Sequence, residues 1–227
     1  MPIAKNPARP PRWRRQPEVR PQQILEAAFR VFGTRGLHQA TLDDVARAAG
    51  ITKGTIYLYF PDKAALFSAM LKARVNDLLP PMEPSNGGRA PSTHRRLQTL
   101  AGRLYRFFQS PAYLAMYRTM VGEASQFPEA AALLYREGIL PANRRLAEVI
   151  QRGIAAGEFR KVDPVIASRA FVGMFQIFAV SQGLLGGQRI FPISDRRIIR
   201  TVTEIYFRGV LAPRRGALHR RPARGVR

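Results

Sequence analysis

Four neighbouring side chains, Thr52, Lys53, Thr55 and Tyr57, have the chemistry of nucleic-acid contacts. They bring three hydroxyl groups, which donate and accept hydrogen bonds, and one ammonium group. Hydroxyl groups and threonine methyl groups suit base edges in the major groove of DNA, whereas a lysine suits a phosphate. Gly54 lies among them and, having no side chain, permits close approach to a nucleic-acid backbone. These residues are therefore candidate DNA contacts.

Two short helices joined by a turn must position these side chains within residues 41–60. Thr41 suits the N-cap of the first helix, and Asp44 completes a capping box three positions later. Gly50 supplies the turn, Thr52 suits the second N-cap, and apolar residues recur at helical spacing in the first helix at Leu42, Val45, Ala46 and Ala49. A helix, a glycine-containing turn and a helix form the helix-turn-helix geometry, whose second helix lies in the major groove. The alternative is a surface helix pair within an all-helical protein.

Two further residues, Thr41 and Lys63, extend this candidate interface. Thr41, at a helix N-terminus, can place its hydroxyl on a phosphate or serve only as the cap, and the two roles are compatible. Lys53 and Lys63 bracket the second helix. We expect Lys63 to neutralise a phosphate, because a lysine is a point charge rather than a reader of bases.

Residues 22–71 resemble the N-terminal domain of the TetR family of bacterial transcription regulators. The resemblance implies a three-helix DNA-binding unit, a following helix that transmits movement, and a phosphate contact from Tyr59, for which packing against Phe60 is the alternative. Leu58 departs from the family pattern, which more often has Tyr, His or another polar residue there. The matching residues are Ile24, Ala27, Ala28, Phe32, Gly36, Thr41, Val45, Ala46, Ala49, Gly50, Thr52, Lys53, Gly54, Thr55, Tyr57, Phe60, Lys63, Leu66 and Phe67.

The second half resembles the ligand-binding region of one branch of the same family. Three short motifs carry the resemblance, at Phe127–Glu129, Gly157–Phe159 and Asp163–Pro164. It implies an apolar cavity that accepts a small hydrophobic effector. Aromatic residues and methionines at helical spacing are also typical of an ordinary core, and both interpretations stay open for Tyr105, Phe108, Met116, Tyr117, Met120, Phe127, Phe171, Met174 and Phe175.

Charge and composition favour a polyanionic partner. The 227 residues are 46% hydrophobic and carry a formal charge of +22. Residues 1–21 hold six Lys and Arg against one Glu, and residues 212–227 hold six Arg and no acid. Neither end has an amphipathic apolar face, so DNA or RNA fits better than an acidic membrane. The chain has no cysteine, which fits a cytoplasmic protein and excludes disulfides.

The apolar periodicities predict an all-helical protein of about nine helices. Expected segments are a disordered basic arm at 1–20, the DNA-binding domain at 21–79, a linker at 80–91, a helical ligand-binding and dimerisation domain at 92–211, and a disordered basic tail at 212–227. The uncharged stretch 170–188 is long enough to suggest a membrane span, but its glutamines and glycines favour a helix buried in the bundle or at a subunit interface. The three histidines lack metal-ligand spacing, and no catalytic motif occurs, so neither a cofactor nor an enzyme is expected.

A homodimer follows from the size of the reading element. One short helix reads few bases, so two helices related by a two-fold axis are expected on a palindromic operator. We expect the last two helices to form the dimer interface, with Phe178, Leu184, Val202 and Tyr206 packed between subunits. The sequence therefore predicts a ligand-responsive regulator, most simply a repressor. The alternative is a constitutive, weakly specific DNA-coating protein, suggested by the excess of positive charge.

Overall fold

A computed structural model describes residues 19–79 and 91–211, and its regular structure there is helical, as predicted. The predicted basic arm, linker and basic tail lie almost wholly outside these residues. These residues form eleven α-helices, so the expected total of about nine was too low. Two short π-helical turns, Tyr135–Ile139 and Ala179–Leu184, lie next to α-helices. The helices are α1 Val19–Gln39, α2 Leu42–Ala49, α3 Lys53–Tyr57, α4 Lys63–Leu78, α5 Thr93–Gln109, α6 Pro111–Glu123, α7 Pro128–Leu134, α8 Leu140–Ala155, α9 Pro164–Phe178, α10 Gly187–Ile190 and α11 Asp195–Val210.

The helix-turn-helix forms where its local signals predict it. The Thr41 hydroxyl accepts the backbone N–H of Asp44 at 3.1 Å, and the Asp44 carboxylate accepts the backbone N–H of Thr41 at 3.1 Å, which completes the capping box. Gly50 adopts the left-handed conformation with φ of 66° and ends α2. Thr52 caps α3 by accepting the N–H of Thr55 at 3.3 Å.

The first hydrophobic core joins α1, α2, α3 and α4 to α6. Helix α1 crosses α6 closely at Gly33, where an added Cβ would lie 3.0 Å from the carbonyl oxygen of Ala112. Met116 and Met120 of α6 are buried in this core beside the DNA-binding helices. Helix α6 is therefore packed into the DNA-binding unit, although the sequence assigned it to the second domain. The largest fully buried side chains here are Phe32, Phe67, Ile24, Ile56, Leu66 and Met70.

The second core lies between α5, α8, α9 and α11. Its largest fully buried side chains are Tyr105, Phe171, Phe175, Leu97, Leu146 and Ile150. The helical spacing of Ile205 with Val202 on α11 predicts an inward side chain, but Ile205 is exposed. Val202 and Tyr206 already fill the face of the helix that points into the core.

A π-helical turn at Tyr135–Ile139 explains how one long helical segment accommodates Pro141. The N–H of Leu140 donates to the carbonyl of Tyr135, five residues earlier. Proline has no N–H and clashes with the preceding turn of a regular α-helix, so a wider turn just before it preserves the helical direction. Pro141 thus lies in the first turn of α8, where its missing donor is tolerated.

The apolar helix around α9 presents two different faces. Within the described residues, the helical segment Pro164–Leu184 is long and apolar enough to cross a membrane, judged by length and composition alone. Only 28% of its most apolar 18 residues are buried inside the subunit. Ala167, Phe171 and Phe175 point into the second core, whereas Ile166 and Ile177 are exposed. One face is therefore core and the other requires a separate explanation.

Candidate DNA interface and regulatory region

Helix α3 is anchored by one residue and exposes most of the others. Ile56 is its buried residue, and it lies in the first core. Tyr57 is 50% exposed and Leu58, at the end of the helix, 80% exposed. Tyr59 is also exposed, with its ring centre 6.4 Å from that of Phe60. A short helix with aromatic and aliphatic groups in solvent has the surface of a recognition helix rather than of a core element.

Hydrogen bonds orient several of the predicted DNA contacts in the free protein. The hydroxyl oxygens of Thr52 and Thr55 lie 2.9 Å apart, so they share one hydrogen bond. The Lys53 ammonium lies 3.0 Å from the carboxylate of Asp43, and that hydrogen bond raises the pKa of Lys53. Gly54 is exposed beside them. The structure brings these residues together on one exposed surface, and the cation of Lys53 is partnered there.

Lys63 has a structural role that the sequence did not predict. Its ammonium donates to the backbone carbonyls of His38 at 3.0 Å and of Ala40 at 2.9 Å. These carbonyls belong to the end of α1, where a cation offsets the partial negative charge of the helix terminus. Two of its three donors are engaged, which leaves one for the predicted phosphate contact.

The cap of α2 is part of a small charged network. The Thr41 hydroxyl donates to Asp44 at 2.8 Å, and the guanidinium of Arg35 lies 2.9 Å from the same carboxylate. Hydrogen bonds from Thr41, together with the nearby charges of Arg35 and Arg47, lower the pKa of Asp44. Thr41 thus uses its hydroxyl as donor and acceptor within the subunit, which supports the capping role.

Helix α6 contacts the end of α1 through three adjacent interactions. Thr119 donates from its hydroxyl to the carbonyl of Gly33 at 3.0 Å. The carboxylate of Glu123 lies against Gly36, where an added Cβ would be 2.3 Å from Oε2, an atom that is buried without a hydrogen-bond partner among the described residues. Phe127, predicted to line an effector pocket, instead stacks on His38. We call this contact between α1 and α6 the joint.

The nine predicted pocket residues do not converge on one cavity. Tyr105, Phe108, Phe171 and Phe175 are packed in the second core. Met116 and Met120 belong to the first core, and Phe127 lies at the joint. Tyr117 and Met174 are half-buried. The structure therefore distributes this set over two cores and the joint, because aromatic side chains at helical spacing mostly fill cores, and the effector pocket stays a prediction.

Buried tyrosines make polar contacts that sequence reasoning missed. Gln176 of α9 donates to the hydroxyl of Tyr113 on α6 at 2.8 Å, and Gln109 donates to the hydroxyl of Tyr105 at 2.7 Å. Burial raises the pKa of both tyrosines, so both hydroxyls stay protonated in the folded protein. The pair of Gln176 and Tyr113 is separated by 63 residues, and no local pattern identifies it.

Two cavities lie elsewhere in the helical bundle. One, of about 300 Å³, is lined by Leu78, Leu79, Pro91, Arg95, Arg96, Leu97, Thr99, Leu100, Arg103 and Val149. A second, of about 470 Å³, lies between α5 and α11 and is lined by His94, Gln98, Ile199, Arg200, Thr203, Glu204, Phe207, Arg208 and Leu211. Neither cavity contains a predicted pocket residue, so the sequence missed both groups.

Two of the predicted dimer contacts are core residues. Val202 is 4% and Tyr206 5% exposed within one subunit, and the Tyr206 hydroxyl donates to the carbonyl of Ala167 at 3.1 Å. They hold α11 on α9 and have no surface to offer a partner. Phe178 and Leu184 are half-buried. The exposed large apolar residues of α9 and α11 are instead Val165, Ile166, Ile177 and Ile205.

The chain belongs to the TetR family of bacterial regulatory proteins. The family profile of their N-terminal domain matches residues 24–70, and that of the AefR-like transcriptional repressor C-terminal domain matches residues 95–209. The chain is therefore a DNA-binding transcription regulator of the helix-turn-helix class.

Individual relatives agree with this assignment. The HTH-type transcriptional regulator TtgR of Pseudomonas putida is 32% identical over 182 residues, which cover 76% of this chain and 81% of TtgR. The structure of the flavonoid-responsive regulator FrrA superimposes with a TM-score of 0.56 at 26% identity, covering 86% of this chain and 98% of FrrA. Salmonella enterica GusR shares the fold, with a TM-score of 0.60 at 20% identity over 86% and 96% of the two chains. TtgR and FrrA are both named as regulators.

Proposed function

We propose that the protein is a homodimeric, ligand-responsive repressor that binds a palindromic operator through two copies of α3. The single observation that carries the proposal is the anchoring of α3 by Ile56 alone, which leaves Tyr57 and Leu58 exposed. Thr52, Thr55 and Tyr57 are the proposed base contacts, and the proposed contacts to the phosphate backbone are Thr41, Lys53, Gly54, Tyr59 and Lys63. Leu58 offers an apolar contact suited to a thymine methyl group.

An exposed stripe on α9 and α11 supports dimerisation. On α9, exposed residues recur at spacings of four, three and four, at Ile166, Ala170, Gly173 and Ile177. On α11 the corresponding exposed residues are Thr201, Ile205 and Gly209. Apolar residues that repeat on one exposed helix face indicate a partner, and the small ones permit close helix packing. We therefore place the dimer interface on this stripe, which replaces the predicted contacts of Val202 and Tyr206.

The joint supports communication between a ligand and α3. Helix α6 contacts α1 at Gly33 and Gly36, Phe127 in the segment after α6 stacks on His38, and Lys63 of α4 bonds the same end of α1. A shift of α6 would therefore displace α1, which packs against the helix-turn-helix. A ligand that favours one position of α6 would change the spacing of the two recognition helices in a dimer, as a population shift. FrrA, which shares the fold, is named as responsive to flavonoids.

Binding to selected DNA tests the proposal against the DNA-coating alternative. DNA fragments from the region upstream of the protein's own coding sequence are selected for binding, and the affinity of the selected site is compared with a scrambled site over a range of salt. We expect a specificity ratio of at least about a thousandfold. A DNA-coating protein would bind both sequences with equal affinity, and both affinities would fall equally as the salt concentration rises. Equal affinities would therefore overturn the proposed function.

A further inference from the structure

We propose that the cavity between α5 and α11 is the effector site and that it takes a small monoanionic amphipathic molecule. The inference rests on the proposed function, since it names the ligand of a ligand-responsive regulator. In this assignment the anion contacts Arg200 and Thr203, and the apolar part lies against Ile199, Phe207 and Leu211.

The cavity has the size and the divided surface that such a ligand needs. Its volume of about 470 Å³ falls in the range of small-molecule sites. Ile199, Phe207 and Leu211 form an apolar part of the wall, and the edge of the His94 ring lies against Phe207 with ring centres 4.0 Å apart. Gln98, Arg200 and Thr203 form a polar part. A molecule with one apolar and one polar end matches both surfaces.

Thr203 provides an unpaired polar atom at this wall. Thr203 is only 8% exposed, and its hydroxyl group has no hydrogen-bond partner among the described residues. A buried hydroxyl without a partner is uncommon in folded proteins, because removing it from water is unfavourable. The oxygen itself is closed off from the cavity surface, so rotation about χ1 must turn it toward a ligand oxygen, and the exposed guanidinium of Arg200 marks the polar end of the site.

The charge of the wall fits one negative charge. Glu204 and Arg208 form an ion pair at 2.6 Å and so offset each other. Arg200 forms no ion pair or hydrogen bond with another described residue. The wall therefore has one unmatched positive charge, and a guanidinium is well suited to a carboxylate. Residues 212–227, which follow Leu211, carry six arginines and no acid, so the same charge disfavours this segment as the occupant.

Helix α11 connects the cavity to the proposed dimer interface. Arg200, Thr203 and Phe207 line the cavity, whereas Ile205 and Gly209 of the same helix belong to the exposed stripe. A ligand that bridges α5 and α11 favours one spacing of these helices. Because α11 also contacts the partner in the proposed dimer, the bound ligand would bias the arrangement of the two subunits.

Calorimetric titration of the full chain with decanoate tests the site directly, without DNA. Decanol and decyltrimethylammonium serve as the neutral and cationic probes of equal chain length, all below their aggregation concentrations. We expect decanoate to bind once per subunit and the other two probes to bind at least about tenfold more weakly, as one charge-assisted hydrogen bond predicts.

Variants of the cavity wall test which residues bind the anion. Arg200→Gln should weaken decanoate binding by a similar factor, and Thr203→Val by a smaller one. Arg197→Gln, an exposed change on α11 outside the cavity, is the matched control and should bind as the unchanged protein does.

Several outcomes overturn the assignment, and each is distinct from failure of the proposed function. The site is wrong if the three probes bind equally, or if Arg200→Gln binds decanoate as well as Arg197→Gln does while both variants show unchanged melting temperatures. If decanoate binds through Arg200 but leaves operator affinity unchanged, the site stands and the regulatory role fails. If decanoate does not bind, while a screened apolar molecule releases the operator equally from the unchanged protein and from Arg200→Gln, the regulator stands and this site fails.

Discussion

The imidazole of His38 stacks on the ring of Phe127, with ring centres 4.0 Å apart and 16° between the planes. This contact ties the end of α1 to the segment between α6 and α7. It lies beside the contacts of Thr119 with Gly33 and of Glu123 with Gly36. The DNA-binding unit and the regulatory bundle are thus held together where α1 meets α6, and the predicted pocket residue Phe127 belongs to that joint.

A double-mutant cycle measures the stacking energy at the joint. His38→Ala and Phe127→Ala, alone and combined, are compared by urea unfolding. Aromatic pairs contribute about 0.5–1.5 kcal/mol beyond the area they bury, so we expect a coupling energy of that size. The pair of Phe107→Ala and His38→Ala, whose rings belong to different clusters, is the control and should be additive. Additive effects for His38 and Phe127 would contradict the stacking interaction.

Substitution of two glycines separates backbone strain from crowding. Gly36 has φ 73° and ψ 165°, a region that essentially only glycine occupies, whereas Gly50 has φ 66° and ψ 34° and open space around it. Gly50→Ala should therefore cost about 1 kcal/mol, as for one left-handed alanine. Gly36→Ala should cost more, about 2–3 kcal/mol, within the range for strongly disfavoured backbone conformations.

The same comparison tests the part played by Glu123. Its carboxylate is the far end of a flexible side chain, so it can move away from an alanine at position 36. Glu123→Ala should therefore restore little of the stability lost in Gly36→Ala, as read from urea midpoints. Full recovery in the double variant would show that crowding, rather than backbone conformation, is the main cost.

Acid should weaken the cap of α2 through Asp44. Hydrogen bonds from Thr41 and the charges of Arg35 and Arg47 lower the pKa of Asp44 below its ordinary value of 3.8. A carboxyl with a lowered folded pKa stabilises the fold fully above the ordinary value, and this contribution is lost as pH falls through the folded pKa. The free energy of unfolding of the unchanged protein should thus fall more steeply below about pH 4 than that of Asp44→Asn. Parallel pH profiles of the two proteins would contradict the assignment.

Local signals predicted the DNA-binding unit because each acts within a few residues. Thr41, Thr52 and Asp62 cap the helices that follow them, and each cap bonds a backbone N–H three positions later. Gly50 adopts the conformation that its turn requires. Propensity and spacing suffice for such contacts, so the starts of α2 and α3 were correctly predicted at the caps Thr41 and Thr52.

Contacts between distant segments were not predictable in this way. Lys63 bonds carbonyls 23 and 25 residues earlier, and Met116 enters a core formed mainly by the DNA-binding helices. Ile205 and Val202 both repeat at helical spacing on α11, yet one is exposed and the other buried. Periodicity identifies an apolar helix face but not which neighbour covers each part of it, so it could not assign Val202, Tyr206 and the aromatic residues to the cores in which they lie.

Charge placed on the exposed stripe should separate the proposed dimer. Ile177 of α9 is 60% exposed and is a large apolar member of that stripe. Ile177→Arg should shift the protein to monomers in sedimentation velocity, because an interface core does not accommodate an unpaired charge. Val121→Arg is the matched control, since Val121 is also 60% exposed but lies on α6. An unchanged dimer in Ile177→Arg, or equal dissociation in both variants, would place the interface elsewhere.

Tyr57 should carry operator discrimination without carrying stability. Its side chain is half exposed, while Ile56 alone anchors α3, so Tyr57→Ala should leave the melting temperature and the oligomeric state unchanged. A base contact is worth about 1–3 kcal/mol, which predicts a loss of about tenfold to a hundredfold at the operator and little change on scrambled DNA. Tyr135→Ala, at a similarly exposed tyrosine in the π-helical turn before α8, is the control and should bind both DNAs normally.

Two other outcomes would change the role of Tyr57. If Tyr57→Ala weakens the binding of both DNAs equally, the hydroxyl contacts a phosphate, because such contacts carry no sequence information. Unchanged affinity for both would remove Tyr57 from the interface altogether.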